Sequence, residues 1–320
     1  MGSGRRPSDP SVTADRDAAP SVDGRLVIGL NTSPQGVDWQ TLDSVWARVG
    51  ELDVFSMVWM NDHLTDPYRS TGGASLETVT AMAALAHRVP GRWLGHGVLA
   101  ATFRHPTLVA KAATVLDHVT GGRYILGLGA GWHPGEHEPL GIPRPPMPER
   151  FDRFESSVEV IRALFSAEAA ELPGVTREDP WYPLHGATNM PPPLTQGGPP
   201  IWLGGQRRRG AVLAARVASG WLLPAVVPGS TIDVGYFRSR RAAILESIAA
   251  GPTGPRPFAF AAKVDVGADR RRRREALREC LAFVDAGATH ILLSMTPSLG
   301  PGVVDAVADD VARPLREALG

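Results

Sequence analysis

The chain has 320 residues, of which 43% are hydrophobic and 21% charged, and 33 Lys and Arg balance 33 Asp and Glu. A length of this order supplies an ample core, and α/β barrels reach it as one domain. Zero formal charge leaves no global basic field to hold nucleic acid or an anionic membrane, and a single cysteine, Cys280, excludes a disulfide framework and fits a reducing, cytoplasmic setting.

Residues 1–24 are rich in Gly, Ser, Pro, Asp and Ala and nearly free of large apolar side chains. Such a segment cannot bury enough surface to offset its ordering entropy, so a disordered arm is expected. Arg5 and Arg6 precede no apolar stretch of an export signal, and no run approaches the ~20 residues of a membrane helix. One domain is expected over 25–320.

From Arg25 onward, eight short runs rich in Val, Ile, Leu, Trp and Phe read as strands buried on both faces: 25–30, 53–60, 92–100, 123–129, 200–205, 220–227, 257–266 and 289–295. The stretches between them read as helices. After His105, Pro106 suits a first turn; Leu108, Val109, Ala112, Val115, Leu116 and Val119 recur at helical spacing, and Gly121-Gly122 ends the helix. Further on, Phe151, Phe154, Val158, Ile161 and Phe165 mark one helical face. Eight strand–helix units predict a (β/α)₈ barrel; an open doubly wound sheet is the rival fold. Residues 167–200, with Pro191-Pro192-Pro193 and Pro199-Pro200, read as an insertion between the fourth helix and the fifth strand, either a lid or binding loop or a solvated linker. Cys280, within a helical stretch, is expected to be a packed thiol rather than a nucleophile. The run Arg270 to Arg274 is expected to be the solvated opening of a helix.

Active sites of such barrels form at the C-terminal strand ends. That rule selects Asn61-Asp62-His63, His96-Gly97-Val98, Gly129-Ala130-Gly131-Trp132 and Gly204-Gly205-Gln206. A histidine moves protons near neutral pH, and Asp62 would orient a partner; surface decoration is the competing use of such a pair. Glycines at strand ends expose N–H groups and let a planar ring or phosphate approach, or merely make tight turns. The Gly129-Ala130-Gly131 spacing does not meet the dinucleotide fingerprint. His133-Pro134-Gly135-Glu136-His137 matches H-x-x-E-H, but Pro134 and Gly135 oppose the regular helix a zinc site needs, so no metal is expected.

Three segments carry a resemblance. The stretch from Arg104 to Ile142, RHPTLVAKAATVLDHVTGGRYILGLGAGWHPGEHEPLGI, is similar to the central signature of the luciferase-like monooxygenase family. SMVWMNDHL and PIWLGGQRRRGAVLAARVASGWL resemble its second-strand and later glycine segments. The resemblance implies FMN or the deazaflavin coenzyme F420 at the strand C-termini. Asp62 and His63 would lie near the redox ring, with Gly97 and Val98 behind it on a bulge holding a cis peptide bond. Gly129, Ala130, Gly131 and Trp132 would line the ring edge and phosphate, and Gly204 and Gly205 would cradle the phosphate. Asp62-His63 and the pair Glu136-His137 resemble the deazaflavin branch. Arg207, Arg208 and Arg209, at a helix N-terminus, would supply cations for a polyanionic tail. Trp132 stands where the glucose 6-phosphate branch carries a Glu, which speaks for a bulkier or more apolar organic substrate. The expected function is thus F420-dependent hydride transfer. The alternatives are an FMN-dependent monooxygenase fed by a flavin reductase and a non-catalytic flavin-binding relative. The resemblance also implies a homodimer; Leu76, Val79, Met82 and Leu85 would line its interface or serve as ordinary core.

Overall fold

A computed structural model describes residues 25–67, 73–205, 207–223, 233–252, 254 and 256–319. The expected arm 1–24, Gln206 and the end of the sixth predicted strand, 224–227, lie outside the described residues.

Eight parallel strands close on themselves. In chain order they are β1 (Val27–Thr32), β2 (Met57–Met60), β3 (Trp93–His96) continued by β4 (Leu99–Ala100), β5 (Tyr124–Gly129), β8 (Ile201–Gly204), β9 (Gly220–Leu223), β10 (Ala259–Asp265) and β11 (His290–Ser294). β1 pairs with both β2 and β11, and β3 with both β2 and β5, so no edge remains. The helices α1 (Trp39–Gly50), α2 (Thr78–Leu85), α3 (Pro106–Thr120), α4 (Met147–Leu164), α5 (Arg208–Val217), α6 (Val234–Ala249) and α7 (Arg270–Asp285) surround it. The expected (β/α)₈ barrel is the fold.

Strand alternation sends one set of side chains outward to the helices and the other into the barrel. The inner set is Val27, Met57, Trp59, Ile125, Trp202, Leu222, Ala259, Ala261 and Leu292. Its two indoles lie 5.2 Å apart, and burying each large side chain contributes roughly 1.5–3 kcal/mol. Glycines make the room: a Cβ at Gly95 would lie 2.8 Å from Trp59, and one at Gly220 would lie 2.7 Å from Trp202.

The α3 face differs from the expectation. Val109 and Leu116 are buried, but Leu108, Val115 and Val119 are exposed, because Ala110 and Ala113 form the packed face. Small side chains fill that face, and the larger ones turn outward. On α4 the expected face holds: Phe154, Val158 and Ile161 are buried, and so is Phe165 at its C-cap. Met82 and Leu85 of α2 are fully buried, and Leu76 and Val79 pack on the same core. Met82 and Leu85 thus take the core use, while Leu76 and Val79 are only partly buried.

The insertion carries an antiparallel hairpin, β6 (Val175–Arg177) and β7 (Leu184–Ala187). It is no solvated linker. Asn189 donates to Thr114 Oγ1 at 2.9 Å, and the Thr195 N–H and hydroxyl both donate to Asp117 at 2.8 Å, fastening it to α3. The arginine run is only half solvated. Arg271 is exposed, but Arg273 is buried and pairs with Asp310 at 2.9 Å, while Arg272 pairs with Glu279 at 2.6 Å. Cys280 is fully buried and its thiol is pushed up to about 12 by burial, as a packed thiol should be.

Candidate active site

Above the apolar barrel filling, the same alternation places a last inward layer at the C-terminal mouth. It consists of Asn31 (β1), Asn61 after β2, Gly97 after β3, Gly129 (β5), Gly204 (β8), Lys263 (β10) and Ser294 (β11). Polar side chains come from β1, β2, β10 and β11, and glycines from β3, β5 and β8. The floor of the mouth is therefore polar on one half and bare on the other.

Lys263 organises the polar half. It is only 5% exposed, and its Nζ donates to Asn61 Oδ1 at 2.7 Å and to the Gly97 carbonyl at 2.8 Å. No carboxylate pairs with it among the described residues, and burial pulls its pKa down to about 7. Beside it Asn31 donates to Ser294 Oγ at 3.2 Å, while the buried Asn31 Oδ1 has no donor among the described residues. The sequence reading missed Lys263. Its signal was a lysine at an inward position inside the apolar run AFAAKVDV.

The bare half is built around Val98. The Gly97–Val98 bond is cis, as the resemblance implies. Val98 then occupies the space that side chains would need across the mouth: a Cβ at Gly129 would lie 2.6 Å from Val98 Cγ2, and one at Gly204 would lie 3.1 Å from it. A Cβ at Gly131 would lie 2.4 Å from Thr102 Oγ1, and its φ of +75° favours glycine in any case. Gly205 is different, since among the described residues a Cβ there would meet nothing nearer than Gly210 Cα at 3.8 Å. Its carbonyl accepts from Trp221 Nε1 at 2.9 Å. Thus Gly129 and Gly204 serve the Val98 bulge, and Gly205 keeps open room. Trp132 is half-exposed at the rim.

His63 and Glu136, 73 residues apart in sequence, meet at 2.8 Å through Nδ1 and Oε2. Glu136 is nearly inaccessible, and its other oxygen accepts the Leu64 N–H at 2.8 Å. Burial alone would raise this carboxyl; the hydrogen bonds from His63 and the backbone outweigh it and hold the group below the ordinary carboxylate range. A carboxylate facing Nδ1 makes that nitrogen the donor and leaves Nε2 as the free proton-transfer atom. The His63 ring also stands edge-on to Trp132, 6.0 Å between centroids.

Glu136 and His137 thereby leave the H-x-x-E-H pattern. His137 bonds the His133 carbonyl at 2.8 Å and Thr102 Oγ1 at 2.9 Å, and Pro134–Glu136 form only one 3₁₀ turn.

Two expected site residues stand elsewhere. Asp62 is buried and committed: it accepts from Arg104 at 2.7 and 2.9 Å and from the Ala100 N–H at 2.8 Å, clamping the end of β2 to the loop before α3. His96 points out of the barrel, fully buried with Nδ1 2.8 Å from the Tyr124 hydroxyl; burial drops its pKa to about 3. It is a packed neutral histidine, out of reach of the mouth. Arg209 is also committed, to Asp152 at 2.6 Å and to Glu155, with Arg207 and Arg208 left exposed at the start of α5.

The class so defined is a closed (β/α)₈ barrel, with a glycine half-floor and a carboxylate-held histidine gathered at its C-terminal mouth as the candidate site. The chain belongs to the luciferase-like monooxygenase family, whose sequence model matches residues 23–311. It is 33% identical over 214 residues to a Mycobacterium tuberculosis phthiodiolone/phenolphthiodiolone dimycocerosates ketoreductase, covering 66% of this chain and 52% of that protein. It is 35% identical over 172 residues to the F420-dependent glucose-6-phosphate dehydrogenase of Beutenbergia cavernae, covering 52% of this chain and 48% of that one. The chain spans about half the length of these curated relatives. Among solved structures, an F420-dependent secondary alcohol dehydrogenase superposes with a TM-score of 0.72 at 16% identity, over 90% of this chain and 98% of that one. The long-chain alkane monooxygenase LadA superposes at 0.70 and 15%, over 92% of each. At these identities the two structures share the fold alone.

Proposed function

We propose that the chain is a deazaflavin-dependent oxidoreductase that transfers a hydride to or from a small organic substrate at the barrel mouth. The observation that carries this reading is the Glu136-oriented His63 standing over a floor that is half glycine and half polar. The site suits a planar, polar-edged cofactor. The bare half admits a flat ring, and the orphaned Asn31 Oδ1 calls for a donor beside the Lys263 amine. When bound, the deazaflavin supplies the hydride donor or acceptor.

The chain's own residues do the rest. Gly97 and Val98 back the ring; Gly129, Ala130, Gly131 and Trp132 border it. Gly205, with Gly204, receives the phosphate ahead of the α5 N-terminus, where free N–H groups favour anions. Asp62 acts through Arg104, holding the loop that frames the mouth. His63 Nε2 gives a proton to the substrate oxygen in one direction of reaction and takes it in the other, while Glu136 holds Nδ1–H and steadies the imidazolium. Trp132 offers an apolar wall beside His63, which suits a ketone or alcohol on an apolar body better than a sugar phosphate. The ketoreductase relative supports the same substrate class.

The test is a titration of the purified protein with F420 and with FMN, following intrinsic Trp fluorescence. Micromolar or tighter binding of F420 is expected. Tight FMN binding without a response to F420 would replace this reading with a flavin-dependent monooxygenase.

A further inference from the structure

A second concavity, about 380 Å³, lies beside the mouth between the loop leading into α3, the segment before α4, and the insertion. Its walls include Phe103, Arg104, Arg150, Arg153, Phe154 and Tyr182, and among the described residues no carboxylate lines it. It contains none of the glycines of the mouth, and Arg104 on its wall is the partner of Asp62.

The three guanidinium groups are not equivalent. Arg104 is neutralised by Asp62 and Glu77, and Arg153 by Glu149 at 2.6 Å. Arg150 is only 3% exposed and has no carboxylate partner among the described residues. Its Nη1 reaches the Pro145 carbonyl at a long 3.3 Å, Nη2 meets the Met147 sulfur at 3.5 Å, and the buried Nε has no acceptor. A buried, uncompensated cation is costly, and an anion supplied from outside would remove that cost. A planar fork with free donors matches a carboxylate or phosphate, and Phe103, Phe154 and Tyr182 match an apolar or aromatic body attached to it.

We infer that this concavity is an anion subsite, in which Arg150 grips the carboxylate or phosphate of a ligand whose apolar body packs against Phe103 and Phe154. The inference does not depend on which cofactor fills the mouth. The anion has two sources, the far end of an organic substrate or the charged tail of the cofactor, and both present the same chemistry to Arg150.

Calorimetry on the full chain, free of cofactor, with benzoate as probe and benzyl alcohol as its uncharged counterpart, tests it. Benzoate is expected to bind at least tenfold more tightly than benzyl alcohol. Arg150→Met should abolish that difference, and Arg150→Lys should retain part of it. Circular dichroism of both variants reports folding, and the wild-type preference for benzoate stands as evidence even where a variant is lost. Repeating the titration on F420-saturated protein separates the sources: displacement of benzoate assigns the subsite to the cofactor tail, and retained binding assigns it to the substrate. Equal affinity for benzoate and benzyl alcohol, or a benzoate affinity unchanged in Arg150→Met, would overturn the inference.

Discussion

Lys263→Met removes the one amine in the barrel floor while keeping its length and apolar stem, and its effect should depend on pH in a defined way. The ordinary pKa of 10.5 falls to about 7 in the folded chain because burial disfavours the ammonium. Between those values the unfolded chain holds a proton that the folded chain has released. The unfolded state then binds more protons, so wild-type stability rises with pH across that window. The slope is about 1.4 kcal/mol per pH unit, or about 2.5 kcal/mol between about pH 7.5 and 9.5. The variant lacks this term. It does strip the donor from Asn61 Oδ1 and the Gly97 carbonyl, at about 1–3 kcal/mol each, but that offset is the same at every pH. Urea unfolding of both proteins at several pH values, followed by Trp fluorescence, yields the difference in stability at each. That difference should move in favour of the wild type as pH rises. A flat difference would refute the buried, uncompensated amine and mean that Lys263 stays charged in the fold.

Three further outcomes are expected. His63→Ala should lower turnover about 10²–10⁴-fold with little change in cofactor affinity, since the ring moves a proton rather than gripping the cofactor; unchanged turnover would remove His63 from the reaction. Glu136→Gln should lower turnover by roughly 10² or more by releasing the Nδ1–H tautomer, and a variant as fast as the wild type would show that the tautomer needs no carboxylate. Asp62→Asn leaves the mostly buried Arg104 guanidinium without its main counter-charge, so the melting temperature should drop in line with a loss of about 3–5 kcal/mol; an unshifted melting curve would mean that Glu77 suffices.

Much of the fold was legible because its signals are local. Eight apolar runs separated by helical periodicities mark eight units, and the turn chemistry at Pro106 and Gly121 marks both ends of α3 from neighbouring residues alone. The rule that barrel sites lie at strand C-termini then selected His63, Gly97, Val98 and the glycine loops, which the fold does bring to one end of the barrel. The same rule admitted His96, because sequence position at a strand end does not say to which side of the sheet a side chain turns; one residue of register separates the outward His96 from the inward Gly97. The α3 face failed for a related reason: periodicity reveals a stripe of large apolar residues, but tertiary packing buries Ala110 and Ala113 and leaves Leu108, Val115 and Val119 exposed. The chemistry itself was invisible to local reading. Glu136 reaches His63 across 73 residues, and Lys263 reaches Asn61 across 202. Asp62 reads as a carboxylate free to orient a partner near the redox ring until Arg104 is seen to hold both its oxygens. Helices and strands follow from interactions among near neighbours, which the order of residues records. The partners of a buried charge are chosen by closure of the barrel, which alone brings the ends of β2, β3, β5 and β10 to one mouth.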